Sequence, residues 1–244
     1  MTLLQAIDIR RSRRKYFPEP LEAKVIEKLQ SLIAEYNQQK GFRIELVLDN
    51  GDAFDGLSKS YGMFSGVRHY IGLIANTNDS TSAERLGYYG ELLVLHATAL
   101  GLGSCWVAGS YSPKDCPFTL ADGEKVICVI TIGRVAQAES MRERFIRGIA
   151  HRKSKSAEDM YTADGAVPDW FSAGMLAVQK APSAVNRQPV MFEYKDGKVS
   201  ASVDKYDSPM MGLDFGIAKA HFELGAGGGT WQWGNGGGFT RYKA

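Results

Sequence analysis

The sequence has few of the residues that build disulfide scaffolds and metal centres. Its 244 residues include three cysteines and four histidines. Cys105, Cys116 and Cys128 show neither close pairing nor C-x-x-C spacing, and the histidines have no metal-ligand spacing. We therefore expect neither a disulfide scaffold nor a metal site, and free thiols favour a reducing, cytoplasmic compartment.

An excess of charge and a long apolar run are also missing. The formal net charge is only +2, so the composition provides no general electrostatic attraction to nucleic acid. The longest apolar stretch, residues 92–109, includes His96, Thr98 and Ser104 and is short for a membrane span. Charges follow the first apolar residues instead of preceding them, which is unlike a secretory signal. We predict a protein that binds neither nucleic acid nor a membrane.

Apolar residues are abundant enough for a substantial core, since they make up 44% of the chain. Their periodicity predicts both helices and strands. The expected helices cover residues 21–33, 53–64, 82–100, 168–178 and 213–224, and the expected strands residues 43–48, 69–75, 126–132, 190–194 and 199–203. A capping-box pattern at residues 81–84 begins the third helix, and Asp196-Gly197 joins the last two strands in a hairpin. This order predicts an α+β fold with mixed sheets flanked by helices.

A basic cluster follows a short amphipathic helix at the start of the chain. It contains Arg10, Arg11, Ser12 and Arg14. Guanidinium groups and a hydroxyl suit a phosphate monoester, which offers several charged acceptor oxygens, and a helix C-terminus also favours cations. The alternatives are a solvated basic face or a nucleic-acid-binding arm, because short basic runs are common and nonspecific.

A polar turn closes the expected helix at residues 168–178. It contains Pro182, Ser183, Ala184, Asn186 and Gln188. The prolines fix a backbone bend, and the hydroxyl and amide groups can bind the polar edge of a flat ring or a sugar chain. An ordinary helix-to-strand turn is the alternative, although this turn has more polar side chains than a connection requires.

Together these two segments resemble the FMN-dependent nitroreductase-like family. In that family an R-R-S-x-R segment binds the flavin phosphate, and a P-S-x-x-N-x-Q-P turn, normally from the partner subunit, lines the ribityl chain and ring. The resemblance implies that FMN contacts the five turn residues and the four residues of the basic cluster named above.

The resemblance implies two more FMN contacts. In the family, the loop after a long helix offers backbone NH groups to the N5 and O4 edge of the flavin. That loop is expected at residues 105–109, so the implied contacts are Trp106, Val107, Ala108 and Gly109. A basic segment followed by a short acidic helix at residues 151–160 is similar to the end of the family's catalytic domain, and Arg152 or Lys153 would complete the phosphate pocket.

The chain also shows signs of an internal duplication. His96 and Trp106 have the same ten-residue spacing as His221 and Trp231, and each half has a similar order of elements. We predict one compact unit, residues 1–244, with halves 1–140 and 166–244 joined by a basic connector, 141–165. Residues 37–41 lack the Pro-Ser pair of the polar turn. The resemblance therefore implies one FMN per chain, between the halves, and a monomer that acts as a pseudo-dimer.

The function implied by the resemblance is FMN-dependent NAD(P)H oxidoreductase activity. NAD(P)H would reduce FMN, leave, and be replaced by a nitroaromatic or quinone acceptor. No catalytic side chain is assigned, because the flavin itself carries the hydride chemistry. Tyr61, Phe64 and Trp106 are candidate pocket walls, with ordinary core packing as the alternative. The rival functions are a flavin carrier or sensor with little turnover, and nucleic-acid binding through residues 10–15.

Overall fold

The computed structural model describes residues 1–150 and 154–242. The helices are α1 (Leu3–Ile9), α2 (Ala23–Tyr36), α3 (Leu57–Ser60), α4 (Ser82–Ala99), α5 (Met141–Ala150), α6 (Asp169–Gln179) and α7 (Pro209–Gly225). The strands are β1 (Phe42–Val47), β2 (His69–Asn76), β3 (Gly103–Val107), β4 (Glu124–Gly133), β5 (Tyr161–Ala163), β6 (Met191–Lys195), β7 (Lys198–Ser202), β8 (Gly229–Trp231) and β9 (Gly238–Arg241). Two sheets flanked by helices confirm the predicted α+β fold.

The chain divides into two compact units. Unit 1 comprises Met1, Ile9–Asp79 and Leu93–Ile149, and unit 2 comprises Thr2–Asp8, Ser80–Leu92 and Ala150–Ala244. Among the helices within the described residues, none combines the length and the apolar character that a membrane crossing requires.

The sheet of unit 1 has the strand order β1-β2-β4-β3, and all its neighbours are antiparallel. Its two central strands, β2 and β4, are buried almost throughout. Because both faces are covered, these strands read in the sequence as continuous apolar runs instead of alternating patterns.

The sheet of unit 2 has the strand order β5-β6-β7-β9-β8. The short β5 pairs parallel to β6, and the remaining neighbours are antiparallel. Asp196 and Gly197 both have positive φ, 49° and 73°, as the tightest hairpin turn requires, so the predicted β6–β7 hairpin is confirmed. The core of this unit is rich in aromatic residues, among them Phe171, Phe192 and Phe222.

Helix α7 packs closely against the first half of α4 inside unit 2. A side chain at Gly216 would collide with the backbone carbonyl of Glu84, and one at Gly87 with that of Leu213. These glycines therefore permit the close approach of the two helices. Glu84 is fully buried here and accepts hydrogen bonds from Lys219 Nζ at 2.5 Å and from the Gly234 amide at 2.8 Å. Its carboxylate is thus bound inside the core of the unit.

Two sequence predictions need correction. The helix expected at residues 53–64 is only a 3₁₀ turn, Asp52–Phe54, and the one-turn α3. The acidic helix expected within residues 151–160 is a single 3₁₀ turn, Glu158–Met160. The basic connector predicted at 141–165 includes α5 and β5. Both glycine-rich segments after α7 flank strands, β8 and β9, that the prediction missed.

Candidate functional site

The basic segment at residues 10–14 runs beside β3 in unit 1. Ser12 forms a parallel bridge with Ser104, and the amide of Arg13 donates to the Ser104 carbonyl at 2.8 Å. Tyr16 ends the segment in the core, where its hydroxyl lies 2.7 Å from Thr131 Oγ1. The segment is therefore fixed to the sheet and is not a free basic arm.

Arg13, the variable position of the R-R-S-x-R motif, has a structural role. Its Nε lies 3.2 Å from Glu143 Oε1, and its Nη1 donates to the Ala136 carbonyl at 2.9 Å. Both side chains of the ion pair are buried. Arg13 thus fastens the basic segment to the start of α5.

Glu143 also accepts hydrogen bonds from the backbone of this segment. The amides of Arg14 and Lys15 donate to Oε1 at 2.7 and 3.2 Å, and the Ser140 amide donates to Oε2 at 2.7 Å. Burial alone would raise the pKa of Glu143, but these hydrogen bonds outweigh it and lower the pKa to about 2. The ionised carboxylate therefore organises the basic segment at all ordinary pH values.

The predicted phosphate ligands lie around the thiol of Cys105. Burial raises the pKa of Cys105, while the positive charges of Arg14 and Arg10 and a hydrogen bond with Ser12 act in the opposite direction. Arg10, Ser12 and Arg14 therefore each lie near enough to Cys105 to affect its thiol. Arg11 is exposed, and its Nη1 donates to the carbonyl of Arg10 at 2.7 Å.

Two buried polar atoms in this neighbourhood have no protein partner. They are Arg14 Nε and Ser104 Oγ, for which the described residues provide no hydrogen bond. Buried donors of this kind are rare in folded proteins because an unpaired group loses its hydration without compensation. The basic segment and the adjoining strand therefore have hydrogen-bonding capacity that the described residues do not satisfy.

The expected flavin-edge loop at residues 105–109 needs correction, because it is a strand as far as Val107. Trp106 pairs with Ile130 and Val107 with Val129 in the β3–β4 ladder. The Val107 side chain is buried in the core of unit 1. Only Ala108 and Gly109 follow the strand; both are exposed, and their NH groups have no acceptor among the residues that the structure describes.

Unit 1 contains two open cavities that share Phe64, and one of them reaches the basic segment. One, of about 220 Å³, is lined by Arg14, Lys15, Met63, Phe64, Ser65, Ser140, Arg142 and Glu143. A larger one, of about 530 Å³, shares Phe64, Ser65 and Arg142 with it and extends along residues 51–67. Phe64 thus lines both cavities, whereas Tyr61 is 73% exposed and lines neither.

The polar turn of residues 181–189 lies in unit 2 and adopts an uncommon backbone. Val185, Asn186 and Gln188 have φ of 48°, 50° and 45°, in the left-handed region that residues other than glycine seldom occupy. Ser183 Oγ accepts a hydrogen bond from the Gln188 amide at 2.9 Å and closes the turn. Such a conformation persists only where its surroundings enforce it.

Gln188 is one of the groups that enforce this backbone. Its side chain is buried, accepts from the Lys155 amide at 2.9 Å and donates to the Gln179 carbonyl at 3.1 Å. Its contacts therefore indicate that Gln188 supports the turn. Asn186 is only half-buried, and its Nδ2 lies 3.3 Å from Ser154 Oγ. Pro182, Ser183 and Ala184 are half-buried as well.

The sequence prediction missed Asp214, which binds this turn from α7. Both its carboxylate oxygens accept from the amide of Ala184, at 3.0 and 3.2 Å. Burial raises the pKa of Asp214 to about 6, against the opposing effects of this hydrogen bond and of Arg187. The sequence signal that could have identified Asp214 is its position in the mainly apolar stretch 210–222, since a buried carboxylate needs a partner.

Two predicted phosphate contacts, Arg152 and Lys153, lie outside the described residues. Within the described part of the chain, no three or more side chains of the metal-ligating types cluster together. The structure thus places one group of predicted FMN contacts in unit 1, at residues 10–14 and 106–109, and another in unit 2, at residues 182–188.

Comparisons with known proteins agree with this fold. A family model described as "Putative TM nitroreductase" matches residues 2–226. A crystal structure of a "putative nitroreductase" from Thermotoga maritima is similar with a TM-score of 0.66 and 20% identity, covering 98% of this chain and 92% of that one. No curated protein matches the chain.

Shorter solved structures match part of the chain. A "Putative NADH dehydrogenase/NAD(P)H nitroreductase" from Parabacteroides distasonis has a TM-score of 0.48 and 22% identity, over 67% of this chain and 98% of that one. An "FMN-dependent Nitroreductase" from Clostridium difficile has a TM-score of 0.45 and 19% identity, over 55% of this chain and 88% of that one. Because the family model spans nearly the whole sequence, this chain belongs to the "Putative TM nitroreductase" family and is an oxidoreductase of the nitroreductase type.

Proposed function

We propose that the protein is an FMN-dependent NAD(P)H oxidoreductase that reduces nitroaromatic or quinone acceptors. The observation that carries the proposal is the pair of unsatisfied buried donors, Arg14 Nε and Ser104 Oγ, beside a basic segment fixed to β3. Family membership supplies the reaction class, and the residues around these donors supply the fit to a phosphorylated flavin.

The basic segment would hold the FMN phosphate. Arg14 and Arg10 are near enough to act on the charge of Cys105, and Ser12 forms a hydrogen bond with it; a phosphate would provide charged acceptors for these three residues. The one acidic side chain fixed at this segment, Glu143, is an ion-pair partner of Arg13, and no ion pair is described for Arg14. The charge of Arg14 therefore remains available to an anionic ligand.

Residues away from the phosphate would bind the rest of the cofactor. Asn186 and Ser183 of the polar turn are assigned to the ribityl chain, and the NH groups of Ala108 and Gly109 to the polar edge of the ring. Arg152 or Lys153 is assigned to the phosphate. When bound, FMN would supply the hydride chemistry, taking a hydride from NAD(P)H and passing it to the acceptor.

The chain's own groups would orient the reactants. Phe64 lines two cavities, one of which reaches the basic segment at Arg14, and an aromatic wall excludes water from a flat substrate. We also propose that one chain binds one FMN, that the protein works as a monomer through its internal pseudo-dimer, and that it resides in the cytoplasm.

The absorbance spectrum of the purified protein, followed by steady-state turnover, tests this function. We expect flavin absorbance after reconstitution with FMN and NAD(P)H oxidation that depends on menadione or a nitroaromatic. Flavin binding without acceptor-dependent turnover would instead support a carrier or sensor. Failure to bind FMN at all would reject the proposal.

A further inference from the structure

A buried carboxylate of α7 holds the first residue of the strained turn in unit 2. Asp214 is only 7% exposed, and both its oxygens lie within hydrogen-bond distance of the Ala184 amide, at 3.0 and 3.2 Å. Hydrogen bonds to a charged acceptor are stronger than those between neutral groups. Asp214 therefore fixes the turn immediately before its left-handed residues.

The rest of the turn is held by groups that do not titrate near neutral pH. Ser183 Oγ bonds the Gln188 amide, and the Gln188 side chain bonds Gln179 and Lys155. Among the described contacts of residues 183–188, the hydrogen bond between Asp214 and the Ala184 amide is thus the one whose strength changes with protonation near neutral pH. Asn186 lies two residues beyond the anchored Ala184.

The surroundings of Asp214 make its charge costly. The charged group that faces it is Arg187, from the turn itself. Its remaining neighbours around a cavity of about 10 Å³ include Met160, Val178, Pro182 and Ala218, and such a cavity holds one water at most. Burial raises the pKa of Asp214 to about 6, so the carboxylate is ionised at pH 7.5 and protonated at pH 5.

We propose that Asp214 is a positioning residue for the cofactor, whose ionised carboxylate anchors Ala184 and thereby holds Asn186 where it binds the flavin. The inference rests on the proposed function. A protonated carboxyl is a weaker acceptor, so the turn loosens and flavin affinity falls as the pH drops from 7.5 to 5. Asp214→Asn keeps the shape of the side chain but removes the charge.

The test titrates apo-protein with riboflavin at several pH values between 5 and 7.5. Riboflavin replaces FMN because the FMN phosphate itself titrates near pH 6. We expect the affinity of the wild-type protein to fall roughly tenfold between pH 7.5 and pH 5, in line with the loss of one charge-assisted hydrogen bond. Asp214→Asn should bind weakly at pH 7.5 and show no such pH step.

Glu223→Gln is the matched control. Glu223 also lies on α7, burial raises its pKa to about 7, and it accepts from the Tyr88 hydroxyl at 2.9 Å, away from the turn. This variant should keep the wild-type pH step. A pH step that survives in Asp214→Asn, or that disappears in Glu223→Gln, would overturn the inference.

A second measurement uses the wild-type protein without any flavin. Hydrogen exchange of the Ala184 amide should accelerate between pH 7.5 and 5 relative to that of the Gln188 amide, whose acceptor is the Ser183 hydroxyl. Equal protection ratios at both pH values would overturn the anchor. If the anchor titrates but no flavin binds, the proposed function fails and the inferred role in binding fails with it.

Discussion

Units 1 and 2 have the same arrangement of strands but carry different parts of the candidate site. Ignoring the short β5, the order β1-β2-β4-β3 of unit 1 is repeated as β6-β7-β9-β8 in unit 2. A helix precedes each hairpin, α2 or α6, and a long helix, α4 or α7, begins after it. This correspondence supports the predicted duplication, which we retain as a hypothesis.

The equivalent turns of the two units show the difference most clearly. After α2, Asn37 exchanges two hydrogen bonds of 2.8 Å with the backbone of Ile44 and simply caps β1. After α6, the turn has three left-handed residues and an aspartate anchor. Residues 161–168, directly before α6, contain no basic residue, and the nearest upstream basic residues of unit 2 lie at 152–155. If the fold is duplicated, as we propose, the two candidate parts of the site lie in different copies.

Breaking the buried ion pair of unit 2 should have the largest effect on the free energy of unfolding. Lys219 and Glu84 are fully buried, so Lys219→Ala leaves an uncompensated carboxylate and should cost about 3–5 kcal/mol. Urea denaturation measures this loss. The double variant Lys219→Met with Glu84→Gln should recover most of it. A cost below about 1 kcal/mol for Lys219→Ala would contradict the structural role of the pair.

The two units should respond to pH in opposite directions. The pKa of Glu143 in unit 1 is lowered to about 2, so its stabilisation is present above its ordinary pKa and is lost as the pH falls toward 2. The pKa of Asp214 in unit 2 is raised to about 6, so stability decreases as the pH rises toward 6. Each of these two pKa shifts corresponds to a change of about 3 kcal/mol in the free energy of unfolding.

Denaturation as a function of pH in two variants checks these signs. Glu143→Gln should remove the acid-side loss of stability. Asp214→Asn should remove the decrease between about pH 4 and 6, and should be more stable than the wild-type protein at pH 7. The comparison of the units fails if both variants change the pH profile in the same direction.

The phosphate assignment predicts a smaller change, in ligand affinity. Arg14→Ala removes a contact worth about 1.5–3 kcal/mol, so the affinity for FMN should fall roughly ten- to a hundredfold. Fluorescence titration of the apo-protein measures it. Arg11→Ala is the control, because Arg11 belongs to the same basic segment but is exposed and donates to the neighbouring Arg10 carbonyl. Equal affinities of Arg14→Ala and wild-type protein would reject the phosphate site.

The polar turn of unit 2 predicts the smallest change. Asn186→Ala removes one neutral amide, which contributes about 1 kcal/mol, so the affinity for FMN should fall roughly fivefold. Asn37→Ala, in the equivalent turn of unit 1, should leave the affinity unchanged and lower only the stability. An effect of Asn37→Ala on affinity as large as that of Asn186→Ala would contradict the division of the site.

The sequence was sufficient to predict most helices and strands whose apolar residues recur with a clear periodicity. Helix α2 and the hairpin of β6 and β7 have strong local signals, so their positions were predicted within a few residues. Strand β3 was missed because Gly103 to Val107 is short and follows a glycine stop, and its stability comes from pairing with β4 far along the chain. Strands β8 and β9 were missed because they have only three and four residues and lie in glycine-rich segments.

The sequence could propose site residues only where neighbouring residues form a motif. Arg10 to Arg14 and Pro182 to Gln188 are contiguous motifs. Asp214 lies 30 residues from Ala184, and Glu143 lies 129 residues from Arg14, so no local pattern connects them. The division between ligand-facing and structural residues within a motif, as for Arg13 and Gln188, also depends on tertiary contacts.

The stoichiometry of FMN binding tests the central claim most directly. If each of the two topologically similar units retains a different half of the site, as we propose, one chain binds one FMN, which fluorescence titration of the apo-protein measures. Arg14→Ala and Asn186→Ala should each weaken that single binding event without changing its stoichiometry. Two equivalent flavins per chain, or one flavin that is insensitive to both substitutions, would contradict the account.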